Sequence, residues 1–193
     1  MNELLFTFAS FLAAIIMGLF YNRLLKRERP LRSNIVRNLP AQTSQTFIGR
    51  KEEISSLLDF LKPSNPKTVA GVFGMGGIGK TSLLIKVGQE CVNTKIFDVV
   101  LYIPARRLST LNNENANNNI LETVISTTAY ALELPTSQIT DSEKEAFFRA
   151  SLSKRRVLLL IDGLDEVMEK EQNELLNFLS SLPSQTKVII SSR

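Results

Sequence analysis

A run of eight residues has the composition and spacing of a phosphate-binding loop. It follows the pattern G-x-x-x-x-G-K-[ST] and consists of Gly74, Met75, Gly76, Gly77, Ile78, Gly79, Lys80 and Thr81. The glycines let backbone N–H groups curl around phosphate oxygens without Cβ clashes, and a helix that begins there adds partial positive charge. We assign the Lys80 side chain to the β- and γ-phosphates, the Thr81 hydroxyl to Mg²⁺, and Ser82 to the same nucleotide-binding set. The predicted cofactors are ATP or ADP with Mg²⁺.

An acidic partner for the metal stands at the end of an apolar run. Asp162 follows Val157–Ile161 (VLLLI), and a phosphate-binding loop needs such a carboxylate on a neighbouring strand to hold Mg²⁺ through water. Either Asp165 or Glu166 is predicted to orient the attacking water, and the sequence does not choose between these two acids. The alternative interpretation of this segment is a capped, acid-rich helix start without a catalytic part.

These side chains need strands that end at one edge of a sheet, and the apolar pattern supplies them. Short apolar runs bounded by turn residues predict strands at Thr68–Phe73, Phe97–Ile103, Val157–Ile161 and Lys187–Ser191. Helical spacing predicts helices at 54–61, at 80–90, at 120–132, from Asp141 or Ser142 through Phe148, and around 175–182. Strands that alternate with helices need crossover connections. The predicted class is therefore α/β, a P-loop NTPase-like parallel sheet with helices on both faces.

The first residues predict a membrane anchor. Leu4–Tyr21 (LLFTFASFLAAIIMGLFY) carries no charge, and as a helix of about 27 Å it just spans a hydrocarbon core of about 30 Å. A cleaved signal peptide begins with positive charge and ends at a small-residue cleavage site, and this segment has neither feature. A buried helix is the other alternative, but the run is apolar on all faces rather than on one.

Basic residues after this run orient the predicted anchor. Residues 23–37 carry six basic side chains against one acidic side chain. The positive-inside rule then places everything after Arg23 in the cytosol, with membrane lipid as the partner of residues 4–21. Residues 33–46 are rich in Ser, Asn, Gln and Thr and are interpreted as a linker. The predicted domains are an anchor at 1–22, a basic segment and linker at 23–46, and a nucleotide-binding domain at 47–193.

Charge and cysteine content argue against other classes of function. From Asn38 onward the chain carries 17 basic and 17 acidic residues, and a neutral body argues against a nucleic-acid partner. The single cysteine, Cys91, cannot form a disulfide within the chain, which fits a reducing compartment. Cys91 is predicted to be a small buried residue on a helix. With no histidine in the chain, a zinc site is not expected.

Three segments together resemble the NB-ARC family of signal-transduction ATPases, within the wider STAND class: GMGGIGKTSL, LLLIDGLDEV and KVIISSR. The resemblance covers Phe47 to Arg193. It implies that Ile48 and Arg50 meet the adenine side of the nucleotide. It also implies that Arg193 reads the γ-phosphate from the end of a strand lying beside the loop-bearing strand. Gly163 departs from the NB-ARC pattern, in which a second Asp is usual, and the Asp-Gly-x-Asp-Glu order is closer to the related NACHT branch.

The first functional hypothesis, which follows from the complete set of catalytic residues, is a membrane-anchored ATPase switch, in which exchange of ADP for ATP changes shape or self-association. Slow Mg²⁺-dependent hydrolysis of ATP would reset the switch. The resemblance also implies that a fifth strand, a helical ARC segment and a winged helix, the parts that transmit the switch, are absent from a chain truncated after Arg193. The alternative is a truncated, catalytically idle nucleotide-binding fragment or a membrane-tethered interaction module.

Overall fold

A computed structural model of the chain describes residues 35–41, 49–105, 119–135 and 139–193. The chain divides into two units, Met1–Arg32 and Ser33–Arg193, and every described residue belongs to the second unit. In these ranges the second unit contains one five-stranded sheet with helices packed against it. This sheet positions the residues that the sequence singles out.

The five strands run parallel and lie side by side in the order β1-β3-β4-β5-β2. Their bounds are Ile35–Arg37 (β1), Val69–Phe73 (β2), Val99–Pro104 (β3), Val157–Asp162 (β4) and Thr186–Ser192 (β5). β5 lies beside the loop-bearing strand β2, as the resemblance implies, with Phe73 opposite Ser192. The carboxyl ends of β2, β4 and β5 therefore meet at one edge of the sheet.

Five helices in the described ranges accompany the strands, together with one 3-10 turn at Leu164–Glu166 that the apolar pattern does not predict. The helices are α1 (Lys51–Phe60), α2 (Lys80–Thr94), α3 (Ile120–Ala131), α4 (Asp141–Leu152) and α5 (Glu169–Ser180). The N-cap of α4 is Thr140, directly before the predicted helix start at Asp141, and its hydroxyl donates to Glu143 Oε2 at 2.7 Å. The predicted α/β class, a parallel sheet with helices on both faces, is confirmed.

Two apolar clusters lie on opposite faces of the sheet. One packs the odd-numbered residues of β3 and β4 against α3, α4 and α5. The other packs Val100, Tyr102, Leu158, Leu160 and Ile189 against α1 and α2. Because successive strand side chains point to opposite faces, continuous apolar runs feed both clusters, and this is why these runs predict strands buried on both sides.

Cys91 lies on α2 and is fully buried in the cluster formed with α1 and α2, as predicted. Burial, together with the nearby Glu90 carboxylate, raises the pKa of its thiol to about 12. The thiol is therefore protonated at neutral pH and packs as a small apolar group.

The linker prediction for residues 33–46 is wrong at its start. Ile35–Arg37 forms β1 and pairs in parallel with Val99–Leu101 of β3. Leu39 packs against the cluster formed with α1 and α2, and Pro40 O accepts a hydrogen bond from Gln89 Nε2 at 3.3 Å. The second unit thus begins at Ser33 rather than at Phe47. Backbone pairing holds this strand, and three residues in a polar stretch give no alternating apolar pattern to predict it.

The predicted membrane anchor, Leu4–Tyr21, lies outside the described residues. Among the residues that the structure describes, no helix combines the length and the apolar character needed to cross a membrane.

Candidate nucleotide-binding site

The glycine-rich loop lies between the carboxyl end of β2 and the amino end of α2. β2 ends at Phe73, α2 begins at Lys80, and Gly79 is the N-cap of α2. Gly77 and Gly79 have φ angles of 76° and 91°, a left-handed conformation that is costly for residues with a Cβ atom. The first turn of α2 holds no acidic residue. Its backbone N–H groups can therefore bind an anion at the loop.

The ammonium group of Lys80 lies inside the curve of this loop. Lys80 Nζ donates to Gly74 O at 2.6 Å and to Met75 O at 3.0 Å. Both acceptors are backbone carbonyls of the loop itself. Phosphate oxygens are stronger acceptors for an ammonium group than neutral carbonyls are, so the side chain is placed to exchange these contacts for a phosphate.

Thr81 and Asp162, which are 81 residues apart in the sequence, are brought together by the packing of α2 beside β4. Thr81 Oγ1 donates to Asp162 Oδ2 at 2.8 Å. Hydroxyl and carboxylate oxygens are the hard ligands that Mg²⁺ prefers. The ion usually takes only one or two protein carboxylates, alongside phosphate oxygens and water. The residues present therefore fit Mg²⁺ bound to a nucleotide.

Two further hydroxyl groups donate to the Asp162 carboxylate, and neither belongs to a residue that the motifs predict at the site. Tyr102 Oη donates to Asp162 Oδ2 at 2.7 Å, and Ser191 Oγ donates to Asp162 Oδ1 at 2.5 Å. Ser191 Oγ in turn accepts from the backbone N–H of Gly163 at 2.8 Å. The one sequence signal for Tyr102 is a polar atom near the carboxyl end of an otherwise apolar strand.

Arg193 contacts the Asp165 carboxylate. Arg193 Nε lies 3.1 Å from Asp165 Oδ2, and the Arg193 backbone N–H donates to Asp165 Oδ1 at 3.1 Å. The guanidinium also lies against the loop, because a Cβ atom built on Gly76 would be 3.7 Å from Arg193 Nε. Glu166 is exposed. The two acids that the sequence left equivalent therefore have different surroundings.

The predicted adenine-side residue Arg50 contacts the phosphate-binding loop itself. Arg50 Nη2 donates to Ile78 O, and a Cβ atom built on Gly79 would lie 3.9 Å from Arg50 Cζ. Ser82 is exposed in the first turn of α2. Ile48, the other predicted adenine-side residue, lies outside the described residues.

The protein-family model of the NACHT domain matches residues 68–193. The transcription activator GutR of Bacillus subtilis is 25% identical over 192 residues, which cover 93% of this chain and 21% of GutR. The regulatory protein AfsR of Streptomyces coelicolor is 32% identical over 134 residues, 65% of this chain and 13% of AfsR. The probable disease resistance protein At1g15890 of Arabidopsis thaliana is 26% identical over 129 residues, 66% of this chain and 14% of that protein.

The chain thus spans between 13% and 21% of the length of these curated relatives. Among solved structures, domain III of the replication initiation protein DnaA from Thermotoga maritima aligns with a TM-score of 0.45 and 21% identity. That alignment covers 75% of this chain and 52% of the other chain.

Proposed function

Because the chain belongs to the NACHT domain family of STAND-class P-loop NTPases, we propose that it binds ATP and ADP with Mg²⁺ as the nucleotide-responsive part of a signalling switch. The observation that carries this proposal is the 2.8 Å contact between Thr81 Oγ1 and Asp162 Oδ2. This contact joins the helix after the phosphate-binding loop to the strand that supplies the metal carboxylate. A glycine-rich turn with a purely structural role does not require it.

The phosphates are proposed to lie on the backbone N–H groups of the loop and at the amino end of α2. Lys80 then exchanges its contacts with Gly74 O and Met75 O for oxygens of the β- and γ-phosphates. Thr81 and Asp162 hold Mg²⁺, which neutralises phosphate charge when bound. Arg50 supports the same loop through its hydrogen bond to Ile78 O.

Slow hydrolysis is proposed as the step that resets the switch. Water attacks the γ-phosphorus, the bond from that phosphorus to the bridging oxygen breaks, and ADP and inorganic phosphate result. Either Asp165 or Glu166 is assigned to orient this water, and in the structure Arg193 engages both oxygens of Asp165. Arg193, which lies against Gly76, is assigned to the γ-phosphate.

The names of the relatives support a signalling role. A transcription activator, a regulatory protein and a probable disease resistance protein are each similar to this chain. In each of them the matched region is a small part of a much longer protein. We propose that nucleotide exchange in this protein changes either self-association or contacts with further domains.

Particular residues bear on the branch of the STAND class to which the domain is assigned. The Phe47–Arg50 segment and Arg193 support the NB-ARC branch, whereas the order Asp162, Gly163, Leu164, Asp165, Glu166 favours the NACHT branch, to which the family match also belongs.

A binding module without turnover is the second candidate function. The ion pair between Arg193 and Asp165 favours it, because the pair competes with the γ-phosphate for the guanidinium.

We also propose, from the sequence, that Leu4–Tyr21 anchors the protein in a membrane with the nucleotide-binding unit in the cytosol. The full chain is then expected to sediment with membranes and to resist alkaline extraction, whereas a chain beginning at Ser33 stays soluble. The shorter chain must keep Ile35–Arg37, because these residues form β1. Recovery of the full chain in the soluble fraction without detergent would contradict the anchor.

The experiment that tests the nucleotide site is a titration of the purified full chain in detergent with ATP and with ADP, each with and without Mg²⁺. Binding strengthened by Mg²⁺ is expected, and Asp162→Asn should lose most of that strengthening while retaining Mg²⁺-free binding. Asp59→Asn is the matched control, since this exposed carboxylate on α1 pairs only with Lys62 among the described ion pairs. Failure of the parent to bind either nucleotide would overturn the proposal.

A further inference from the structure

The hydroxyl group of Tyr102 bonds the same carboxylate oxygen as the hydroxyl of Thr81. Asp162 Oδ2 accepts from Thr81 Oγ1 at 2.8 Å and from Tyr102 Oη at 2.7 Å. Tyr102 belongs to none of the segments that carry the nucleotide-binding pattern. Resting on the nucleotide-binding function above, we propose that Tyr102 is a positioning residue that fixes the Asp162 carboxylate for Mg²⁺.

Strand pairing delivers the phenol to this place. Tyr102 of β3 stands opposite Leu160 of β4, and Pro104 stands opposite Asp162. Side chains two residues apart on a strand share a face, so Leu160 and Asp162 lie on the face that packs against α2. Tyr102 lies in the cluster on that same face. Its hydroxyl therefore meets Asp162 at the edge of the sheet where α2 presents Thr81.

Burial makes the ring a rigid support for its hydroxyl. Tyr102 is 7% exposed and packs in the cluster with Val100, Leu158, Leu160 and Ile189. A packed aromatic ring has little rotational freedom, so its hydroxyl is held at a fixed point rather than selected from several rotamers. A long flexible donor at the same position would lose more entropy on forming the bond.

The remaining contacts of Asp162 complete the restraint. Oδ1 accepts from Ser191 Oγ on β5, at 2.5 Å, and Ser191 Oγ accepts from the Gly163 N–H. Donors from α2, β3 and β5 thus hold the two oxygens from different directions and set the orientation of the carboxylate plane. Hydrogen bonds that orient a metal-ligating carboxylate commonly change metal affinity by about 10- to 100-fold when they are removed.

Tyr102 could instead serve only to pack the sheet. A buried tyrosine hydroxyl usually finds a hydrogen-bond partner, and Asp162 would satisfy it even if Tyr102 served only to pack the sheet. A packing role changes the stability of the fold. A positioning role changes the response to Mg²⁺ without changing nucleotide binding in the absence of the metal.

The test is the binding of a fluorescent ATP analogue to the purified full chain, measured in EDTA and over a series of Mg²⁺ concentrations. Tyr102→Phe removes only the hydroxyl and keeps the ring. Tyr130→Phe is the matched control, because Tyr130 is 81% exposed on α3. Thermal unfolding without nucleotide is recorded for all three proteins, so that a loss of fold is recognised as such.

Tyr102→Phe is expected to raise the Mg²⁺ concentration that gives half-maximal strengthening of nucleotide binding by about tenfold, the lower end of the effect of removing a hydrogen bond to a metal-ligating carboxylate. Binding in EDTA stays within about twofold of the parent, and Tyr130→Phe matches the parent throughout. A Tyr102→Phe protein that responds to Mg²⁺ as the parent does, or that loses binding equally with and without Mg²⁺, would overturn the proposal for Tyr102 alone. A parent without any Mg²⁺ response would instead overturn the metal site itself.

Discussion

Arg193 engages both carboxylate oxygens of Asp165, one through its backbone N–H and one through Nε, each at 3.1 Å. The guanidinium is therefore already paired where the γ-phosphate is proposed to bind, beside Gly76. Nucleotide must exchange this ion pair for a phosphate contact. The gain from the γ-phosphate is the difference between two charge-assisted interactions rather than the whole of one.

Asp165→Asn is expected to raise the preference of the protein for ATP over ADP, because it removes the charge that competes for Arg193. The side chain of Arg193 is 67% exposed, and exposed ion pairs contribute at most about 1 kcal/mol. The preference should therefore rise by no more than about fivefold. Dissociation constants for ATP and ADP, measured with Mg²⁺ on the parent and the variant, give this ratio directly.

Glu166→Gln is the comparison for that measurement. It is expected to leave the ATP-to-ADP ratio unchanged, because Asp165 is the acid whose ion pair with Arg193 competes with the γ-phosphate. A loss of turnover in Glu166→Gln would assign Glu166 to the attacking water. If Asp165→Asn abolishes turnover while leaving the ratio unchanged, Asp165 rather than Glu166 orients the water.

Lys80→Ala is expected to abolish nucleotide binding. The ammonium group lies inside the loop, within 2.6 Å of Gly74 O, and Lys80 is the side chain that the motif directs at the phosphates. Lys86→Ala is the control on the same helix, because Lys86 pairs with Glu90 at 2.7 Å. Calorimetric titration with ATP decides the matter. A Lys80→Ala protein that binds within about threefold of the parent, a difference of ~0.7 kcal/mol, would show that the loop is not the phosphate site.

Lys187 is a buried ammonium at the opposite end of β5 from this site. It is 2% exposed, its Nζ donates to Asn65 O and Lys67 O at 2.6 Å each, and it lies 5.5 Å from the centroid of the Phe60 ring. Lys187→Met should lower the free energy of unfolding by about 2 kcal/mol, because two carbonyls lose a charged donor. Urea denaturation of the parent and the variant at pH 7 measures this difference, with Lys170→Met as an exposed control.

The pH dependence of the free energy of unfolding provides a second test of the role of Lys187. Burial lowers the pKa of Lys187 below its ordinary 10.5, so the folded protein releases this proton at a lower pH than the unfolded chain does. The free energy of unfolding of the parent should therefore rise with pH between the lowered folded pKa and 10.5. Lys187→Met should lack this rise in the free energy of unfolding. If the free energy of unfolding changes equally with pH in both proteins over this range, the rise does not come from Lys187.

The sequence was sufficient to predict the strands that are buried on both faces. VVLYIP and VLLLID are continuous apolar runs because each strand feeds two clusters, and their bounds are close to those of β3 and β4. β1 was missed because Ile35–Arg37 is short, and Val36 and Arg37 are exposed. Its pairing with β3 depends on backbone geometry that its own residues do not encode.

The loop residues of the candidate site were predictable because they are contiguous, whereas their neighbours were not. Tyr102 reaches Asp162 only because β3 and β4 pair in the observed register, with Tyr102 opposite Leu160. The ion pair between Arg193 and Asp165 depends likewise on where β5 ends beside the 3-10 turn. A motif identifies residue types at fixed spacing, and these contacts join strands that are far apart in the chain.

The full chain is expected to discriminate only weakly between ATP and ADP. Arg193 is the residue that we assign to the γ-phosphate, and its ion pair with Asp165 must break before it can bind there. Its exposure further weakens the contact, because water screens the charge and the side chain loses entropy on binding. We expect less than about tenfold discrimination, or ~1.4 kcal/mol, and hydrolysis near the detection limit. Paired titrations with ATP and ADP in Mg²⁺, followed by a phosphate-release assay on the same preparation, measure both quantities. Tight, strongly ADP-selective binding would mean that Arg193 and Asp165 do not set the balance between the two nucleotides, and steady turnover would contradict the expectation that hydrolysis lies near the detection limit.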